Sequence, residues 1–416
     1  MAVDTVLSRP QLPDHIIHQI IQLLPTKSAV RMSSLSKQFE AAWYTQPVLD
    51  FDEGKPRDDT TDSNLQHIKF INILDRYLDY FRNDEKIKQQ LLDKFRLRIT
   101  TNFSVSESTM VDELLSLAVR RNVKELDISI GGKHAALYCL TPKKPLNLAK
   151  SITTLSLEHV TINEDESNPH LSFPSLKTMS LKTLRFSHSL ISRCPSIETL
   201  SVSTSSMCDG SSTFVVSNSN LKSLDITNCD FFQLELRTTN LESFTFVSED
   251  YIRLISLSKC RNLKSLNILA QKLHYLYISG CGHSVKATID SSSLEYVQFT
   301  GFLKYKLSIK ALNLSRARIT LCHEEQSFNE PWEHFSSLRD FLESFASCYQ
   351  EIILRVDHAE MVRALIFPEN FRKTVSPPLP ILKHFRVRIT SPMLARNSDL
   401  MDSLTWIAPS AEIQRI

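Results

Sequence analysis

Residues 221–226, Leu-Lys-Ser-Leu-Asp-Ile, decide the fold. The unit is an apolar residue, two variable positions, an apolar residue, one variable position and a last apolar residue. It returns as VKELDI at 123–128, ITTLSL at 152–157, LKTMSL at 176–181, IETLSV at 197–202, LESFTF at 241–246 and LKSLNI at 263–268. The five units from Leu176 to Leu263 begin 21, 24, 20 and 22 residues apart. Successive side chains of a strand point to opposite faces. Leu224 and Ile226 therefore turn inward, and Ser223 and Asp225 outward. The same register exposes Thr178, Ser180, Thr199, Ser201, Ser243, Thr245, Ser265 and Asn267.

A second ladder is interleaved with the first: FQLEL at 232–236, IRLISL at 252–257, LHYLYI at 273–278, LEYVQF at 294–299 and LNLSRARI at 312–319, spaced 20, 21, 21 and 18 residues. Two further stretches, VKATI at 285–289 and YKLSI at 305–309, keep the first beat. Such repeats, roughly 20–29 residues long, are those of leucine-rich-repeat proteins. β-Branched and aromatic residues favour strands here over helices. Two strands per turn predict an α/β protein whose solenoid is sheeted on both its concave and convex sides in the middle repeats. No repeat can bury its own apolar face, so stability comes from stacking on neighbours. The outward row carries small hydroxyl and amide side chains, with neither a basic stripe for phosphate nor an aromatic platform for bases. That argues against nucleic acid. Thr199, Ser201, Ser223, Asp225, Ser243, Thr245, Ser265 and Asn267 are the candidates for holding a protein client. A solvated face with no partner is the competing reading of each.

Toward the amino terminus, residues 12–53 read LPDHIIHQIIQLLPTKSAVRMSSLSKQFEAAWYTQPVLDFDE. Pro13 opens a first helix, where its missing N–H costs nothing, and Asp14 suits the helix dipole. Ile16, Ile17, Ile20, Ile21, Leu23 and Leu24 recur at helical spacing. Pro25 ends that helix, because Leu24 before it is pushed out of the α region. Thr26 is placed to cap a second helix carrying Ala29, Val30, Met32 and Leu35. Ser34 or Ser36 marks the next break. Lys37 to Tyr44 make a third helix with Phe39 and Trp43 inward, stopped by Pro47. About forty residues cannot bury this much Ile and Leu alone. The surplus apolar surface needs the following domain, a partner, or both.

This stretch resembles the F-box of plant F-box proteins with leucine-rich repeats. The resemblance rests on Leu12-Pro13-Asp14, Leu24-Pro25-Thr26-Lys27, Ala29-Val30-Arg31 and Leu35-Ser36-Lys37. The chain departs at Gln38-Phe39, where the family usually has arginine-tryptophan. The resemblance implies a three-helix F-box over 8–53 that docks on the adaptor subunit of SCF-type cullin-RING ubiquitin ligases, and through it on the cullin. It implies adaptor-binding residues Leu12, Pro13, Ile16, Ile17, Ile20, Leu23, Leu24, Val30 and Leu35.

The rest is organised around the repeats. Residues 54–122 read as a linker and helical opening repeats: a polar loop over 54–64, a helix over 65–81, a strand near 96–100 and a helix over 111–121. The solenoid occupies 123–322. Residues 323–416 form a C-terminal repeat and capping region, with a polar loop over 326–332, a helix over 335–347, strands over 350–356 and 382–389, and a last helix over 393–407. Trp406 reads as packing for the solenoid's end, which an open array needs.

Chemistry is absent from the pattern. Seven glycines leave no room for a phosphate cradle, and Gly280-x-Gly282 is a turn fragment. Neither a nucleophile elbow nor a His-Glu-x-x-His is present. The eight cysteines are spread out, and Cys281/His283 and Cys322-His323 lack further ligands at zinc spacing. Acidic groups at Asp58-Asp59, Glu164-Asp165-Glu166 and Glu324-Glu325 read as solvated loops. No enzyme activity, cofactor or metal is expected. The net charge of +2 gives no overall pull toward nucleic acid, and no apolar run approaches the ~20 residues a membrane helix needs. The expected setting is the cytoplasm or nucleus, with reduced thiols; Lys143-Lys144 is too short for a nuclear signal.

Two functions follow. The first is a substrate receptor: the F-box docks, the repeats hold an unidentified protein client, and ubiquitin arrives by proximity. The second is a non-degradative scaffold whose repeats bind a partner for regulation. A ligand-sensing receptor is more remote, since the small outward side chains and the lack of a basic pocket argue against it.

Overall fold

The computed structural model describes residues 12–24, 26–44, 46–54, 60–83, 91–101, 103–131, 138–140, 150–162, 172–186, 189–207, 212–282, 284–322, 331–356, 358–389 and 397–415. Pro25, His283, His323 and the polar groups at 58–59, 143–144, 164–166 and 324–325 lie outside these residues. The chain forms two compact units, Met1–Leu176 and Lys177–Ile416.

In the first unit, apolar residues at helical spacing wind three short helices, α1 (Asp14–Leu23), α2 (Thr26–Ser33) and α3 (Lys37–Tyr44). Thr26 does not cap α2. It is the first helical residue, and its hydroxyl accepts the Asp50 N–H at 2.8 Å. Ser36 receives the Phe39 N–H at 3.3 Å and starts α3. The stretch after Pro47 is a strand, β1 (Val48–Asp52). Its alternation buries Leu49 and Phe51, so the end of the helical stretch is also the first rung of a sheet. α4 (Thr60–Asn83) begins inside the segment expected to be a polar loop. Then come β2 (Lys94–Ile99), α5 (Ser108–Arg120), β3 (Glu125–Ile130), β4 (Tyr138–Leu140), β5 (Thr154–Glu158) and β6 (Val160–Ile162). β1, β2, β3 and β5 pair in parallel in that order, and β4 pairs with β6. Parallel neighbours need crossovers, which α4 and α5 supply.

The second unit carries two parallel ladders, as the interleaved repeats predict. The first contains Thr178–Lys182, Thr199–Ser203, Ser223–Thr227, Ser243–Ser248, Ser265–Ala270, Lys286–Asp290 and Lys306–Lys310. The second runs through Thr213–Val216, Gln233–Leu236, Leu254–Ser258, Tyr275–Ser279, Tyr296–Gly301, Arg316–Leu321, Glu351–Val356, His384–Ile389 and Glu412–Arg415. Leu224, Ile226, Leu234, Leu236, Phe244 and Phe246 are fully buried.

Several strands of the second unit are left by a left-handed residue, and with so few glycines other types often take the position. Thr183, Thr204, Asn228 and Lys259 have φ of 50°, 44°, 50° and 60°. The turn aims each N–H at the next strand: Thr204 donates to Thr227, Asn228 to Val247 and Lys259 to Ser279, at 2.8–3.0 Å. A ladder bond therefore offsets the strain, which runs to about 1–2 kcal/mol for a residue with a Cβ.

At the carboxyl end, helices Pro331–Glu343, Ala359–Ala364, Glu369–Thr374 and Ser398–Ile407 alternate with the last strands. Sequence patterning foresees the first and last of these and misses the two six-residue helices, which are too short to show a period. Asn397 caps the last helix by accepting from Asp399 and Leu400 N–H. Trp406 packs on Phe367 and Phe371, with ring centroids 5.0 and 6.3 Å away.

Candidate docking surfaces

The first helix has two apolar faces. Ile17 and Ile21 point inward and are 1% and 0% exposed. Ile16, Ile20 and Leu23 follow at i, i+4 and i+7 on the other side. The two isoleucines are half-buried and Leu23 is 86% exposed. Leu12 (47%) and Leu35 (66%) are open as well, Pro13 is exposed, and Leu24 and Val30 are half-buried. Eight of the nine residues named for docking thus retain surface. Ile17 is the correction: its side chain fills the interior of the helical module, because i and i+4 from it face the core with Ala29, Ala42 and Trp43.

Two glutamines hold the module in shape. Gln38, where the sequence departs from its family, donates to Leu12 O at 2.8 Å and to the Asp14 carboxylate at 2.6 Å. It ties α3 to the start of α1 and fixes the backbone beside Leu12 and Pro13. Gln46 is buried and donates to Ile21 O at 2.6 Å, a second bond to a carbonyl at the end of α1 that also accepts the Leu24 N–H at 3.2 Å. The carbonyl of Gln46 accepts from Arg121 at 3.0 Å. Arg121 is itself buried and lies over the Phe81 ring at 5.7 Å. Neither glutamine has a sequence signal beyond being polar between apolar runs.

Glu53 and His67 make a second lock in this unit. The His67 ring touches Glu53 at 2.9 Å and Glu107 at 3.1 Å. Glu53 also accepts the Thr100 N–H at 2.6 Å and the Thr101 N–H at 3.1 Å. Donating a hydrogen bond to the Glu53 carboxylate pushes the His67 imidazole pKa up against burial. Burial alone raises the Glu53 carboxyl, but its hydrogen bonds outweigh that and hold it below the usual range.

Outward faces differ between the units. On the first, Arg96 sits among Asp50 (3.3 Å), Asp52 (3.6 Å) and Asp127 (3.6 Å), so charge is met by charge. On the first ladder of the second unit, the eight residues named for a client fall into two rows. Thr199, Ser223, Ser243 and Ser265 are register neighbours, as are Ser201, Asp225, Thr245 and Asn267. Ser265 and Asn267 are exposed and the other six half-buried.

These rows continue into residues that the sequence reading passed over. Lys286 follows Ser265 in register, and Lys306 follows Lys286. With Lys304, Thr288, Ser308 and Asp340 they line a cleft of about 600 Å³ beside the helix Pro331–Glu343. A basic cleft thus exists where none was expected. Lys306–Lys310 is the last strand of its ladder, and lysines on an edge strand deter unwanted pairing.

Parallel two-strand repeats that follow, in the sequence, a helical module with uncovered leucines define the class: a leucine-rich-repeat protein with an amino-terminal helical domain. The pattern shared by F-box domains matches residues 10–50, and the repeats described as "FBD-associated F-box protein At5g56370, LRR repeats" match 111–298. The chain therefore carries an F-box domain followed by leucine-rich repeats. In Arabidopsis thaliana it is 28% identical to the FBD-associated F-box protein At5g22720 over 71% of this chain and 55% of that one. It is 31% identical to the FBD-associated F-box protein At5g22730 over 48% of this chain and 40% of that one. It is also 31% identical to the F-box/FBD/LRR-repeat protein At5g22700 over 46% and 40%. The chain spans about half the length of these curated relatives.

Proposed function

We propose that this chain is a substrate-recruiting subunit of an SCF-type ubiquitin ligase, with no chemistry of its own. The F-box docks on the ligase's adaptor subunit, and through it on the cullin. The repeats bind a protein client, whose lysines are brought near the ubiquitin-charged enzyme. The observation that carries this reading is the row Ile16, Ile20 and Leu23, the isoleucines half-covered and the leucine open, on a helix whose other face is buried at Ile17 and Ile21. An exposed apolar patch of this kind marks an interaction site.

Co-purification of the full chain with the adaptor subunit tests it, wild type against Leu23→Asp. Because Leu23 is so exposed, the variant should keep the wild-type circular dichroism and Tm while losing the adaptor. Adaptor capture undiminished by L23D, or absent from folded wild type, sinks the reading. Stable capture without any client turnover in a reconstituted ligase favours the scaffold alternative.

A further inference from the structure

The second ladder of the second unit presents outward residues that the proposed function leaves unused. Leu254, Tyr275, Tyr296 and Arg316 are successive register neighbours in one row. Ser256, Tyr277, Gln298 and Arg318 form the next. Tyr275 is 40% exposed. The rings of Tyr277 and Tyr296 stand 5.8 Å apart, tilted by 52°. At the near end, Phe232 is exposed beneath the Arg253 guanidinium, 5.1 Å from the ring centroid. At the far end, Arg316 and Arg318 are exposed and have no ion pair among the described residues. Glu351, beside Arg316 in register, is taken by Arg386 at 2.9 Å. Among the described residues Arg316 and Arg318 thus face solvent with no ion-pair partner, next to an aromatic stripe.

We propose that this tyrosine–arginine face binds an extended acidic segment of a protein client; the assignment rests on the receptor reading above and gives it a surface. Tyrosine and arginine dominate the residues that carry binding energy at protein interfaces. Tyrosine supplies rigid contact area with few rotamers to freeze, and a guanidinium fork matches a carboxylate with two parallel hydrogen bonds. From Leu254 to Arg316 is three strand spacings, about 14 Å, the reach of roughly four extended residues. Apolar side chains of the client lie over the tyrosines and its carboxylates reach Arg316 and Arg318. Single-stranded nucleic acid fits less well. Tyr277 and Tyr296 lean on each other, and the Tyr296 hydroxyl donates to Gln298 at 3.3 Å, so the stripe offers ring edges more than open stacking faces. The hydroxyl rows of the first ladder offer neither aromatic area nor free cations until Lys286.

Fluorescence anisotropy on the full chain tests this, with a labelled peptide of alternating Leu and Glu, its Leu–Gln counterpart and an oligouridine as probes. The wild type should bind the Leu–Glu peptide about tenfold or more tightly than the Leu–Gln peptide, as loss of paired charges implies. Arg316→Ala/Arg318→Ala should remove that preference at unchanged Tm, and Ser243→Ala/Thr245→Ala should keep it. Equal binding of the two peptides, a preference untouched by the arginine variant, or tighter binding of oligouridine overturns the proposal. Adaptor co-purification of the arginine variant is read alongside. It should match wild type, and its failure in wild type would count against the ligase reading without altering the peptide result.

Discussion

In the repeats of the second unit, Leu224, Ile226, Leu266 and Ile268 are at most 1% exposed, whereas on the amino-terminal helices Leu23 and Leu35 stand at 86% and 66%. The residue types are the same and the periods differ. A strand's period of two splits every repeat into one packed and one polar face, so an apolar residue at the right position is always stacked on the repeats beside it. A short helix with apolar residues at five of ten positions, spread over two faces, has more apolar arc than its neighbours can cover. The helical module thus keeps a surface for something else, and the repeats spend theirs on each other. Burial separates leucine that folds the chain from leucine that is free to bind.

The sharpest way to break this contrast is in the repeats. Phe246→Ala empties a fully buried site between stacked strands and should cost about 3–5 kcal/mol. Chemical denaturation of the full chain reads it, and a loss below about 1 kcal/mol would mean that the repeats are not packed as described. Next is the mounting of the helices. Gln46→Ala removes a buried hydrogen bond to the Ile21 carbonyl, which keeps the Leu24 N–H, and should cost about 1.5 kcal/mol; its denaturation should lose amplitude first from the helical signal.

A smaller effect tests the glutamine at which the sequence leaves its family's pattern. Gln38→Ala removes the bonds to Leu12 and Asp14 and should cost about 0.5–1.5 kcal/mol, with weaker adaptor capture because the Leu12–Pro13 corner is released. Gln38→Arg, the family's residue, should retain capture. Unchanged capture by the alanine variant would remove that corner from the docking surface.

The smallest expected effect is on pH. The raised His67 pKa contributes stability that is complete below its usual 6.5 and fades as pH rises through the shifted value. The lowered Glu53 pKa contributes stability present above its usual 4.5 and lost as pH falls through the shifted one. The first unit should therefore be most stable between about pH 4.5 and 6.5 and soften on the alkaline side. Tm measured from pH 5.5 to 8.5 should fall, and His67→Gln should flatten that fall. A slope unchanged by H67Q would assign it elsewhere.

Both ladders and their inward and outward residues were legible in the sequence, because a repeat prints its period many times over. The strand Thr213–Val216 escaped notice, being the first of its ladder with no predecessor to set the beat. β1 escaped because it closes a helical stretch, and Leu49 and Phe51 fit either reading until β2 lies beside them. The uncovered face of the helical module was legible as a surplus of apolar residues, but not which of them stay outside. Ile16 and Ile17 are alike in sequence and opposite in burial, and only packing on α3 decides. The tyrosine–arginine face was present in stretches already recognised as strands. Its meaning lies in register neighbours some twenty residues apart, which the sequence does not place side by side, and the same is true of Lys286, one repeat beyond Ser265.

The central claim is that one face of the first helix builds the module and the other binds. Ile17→Ala and Leu23→Ala, in the same helix and of nearly equal size, separate the two. Tm and adaptor Kd measured for both should diverge. I17A should lower Tm and, where folded, keep the wild-type Kd. L23A should keep the Tm and weaken binding by roughly tenfold or more, as expected for about 1.5–3 kcal/mol of lost burial. If both variants move Tm and Kd together, or if L23A moves neither, the uncovered leucines are not the docking surface and the account fails at its centre.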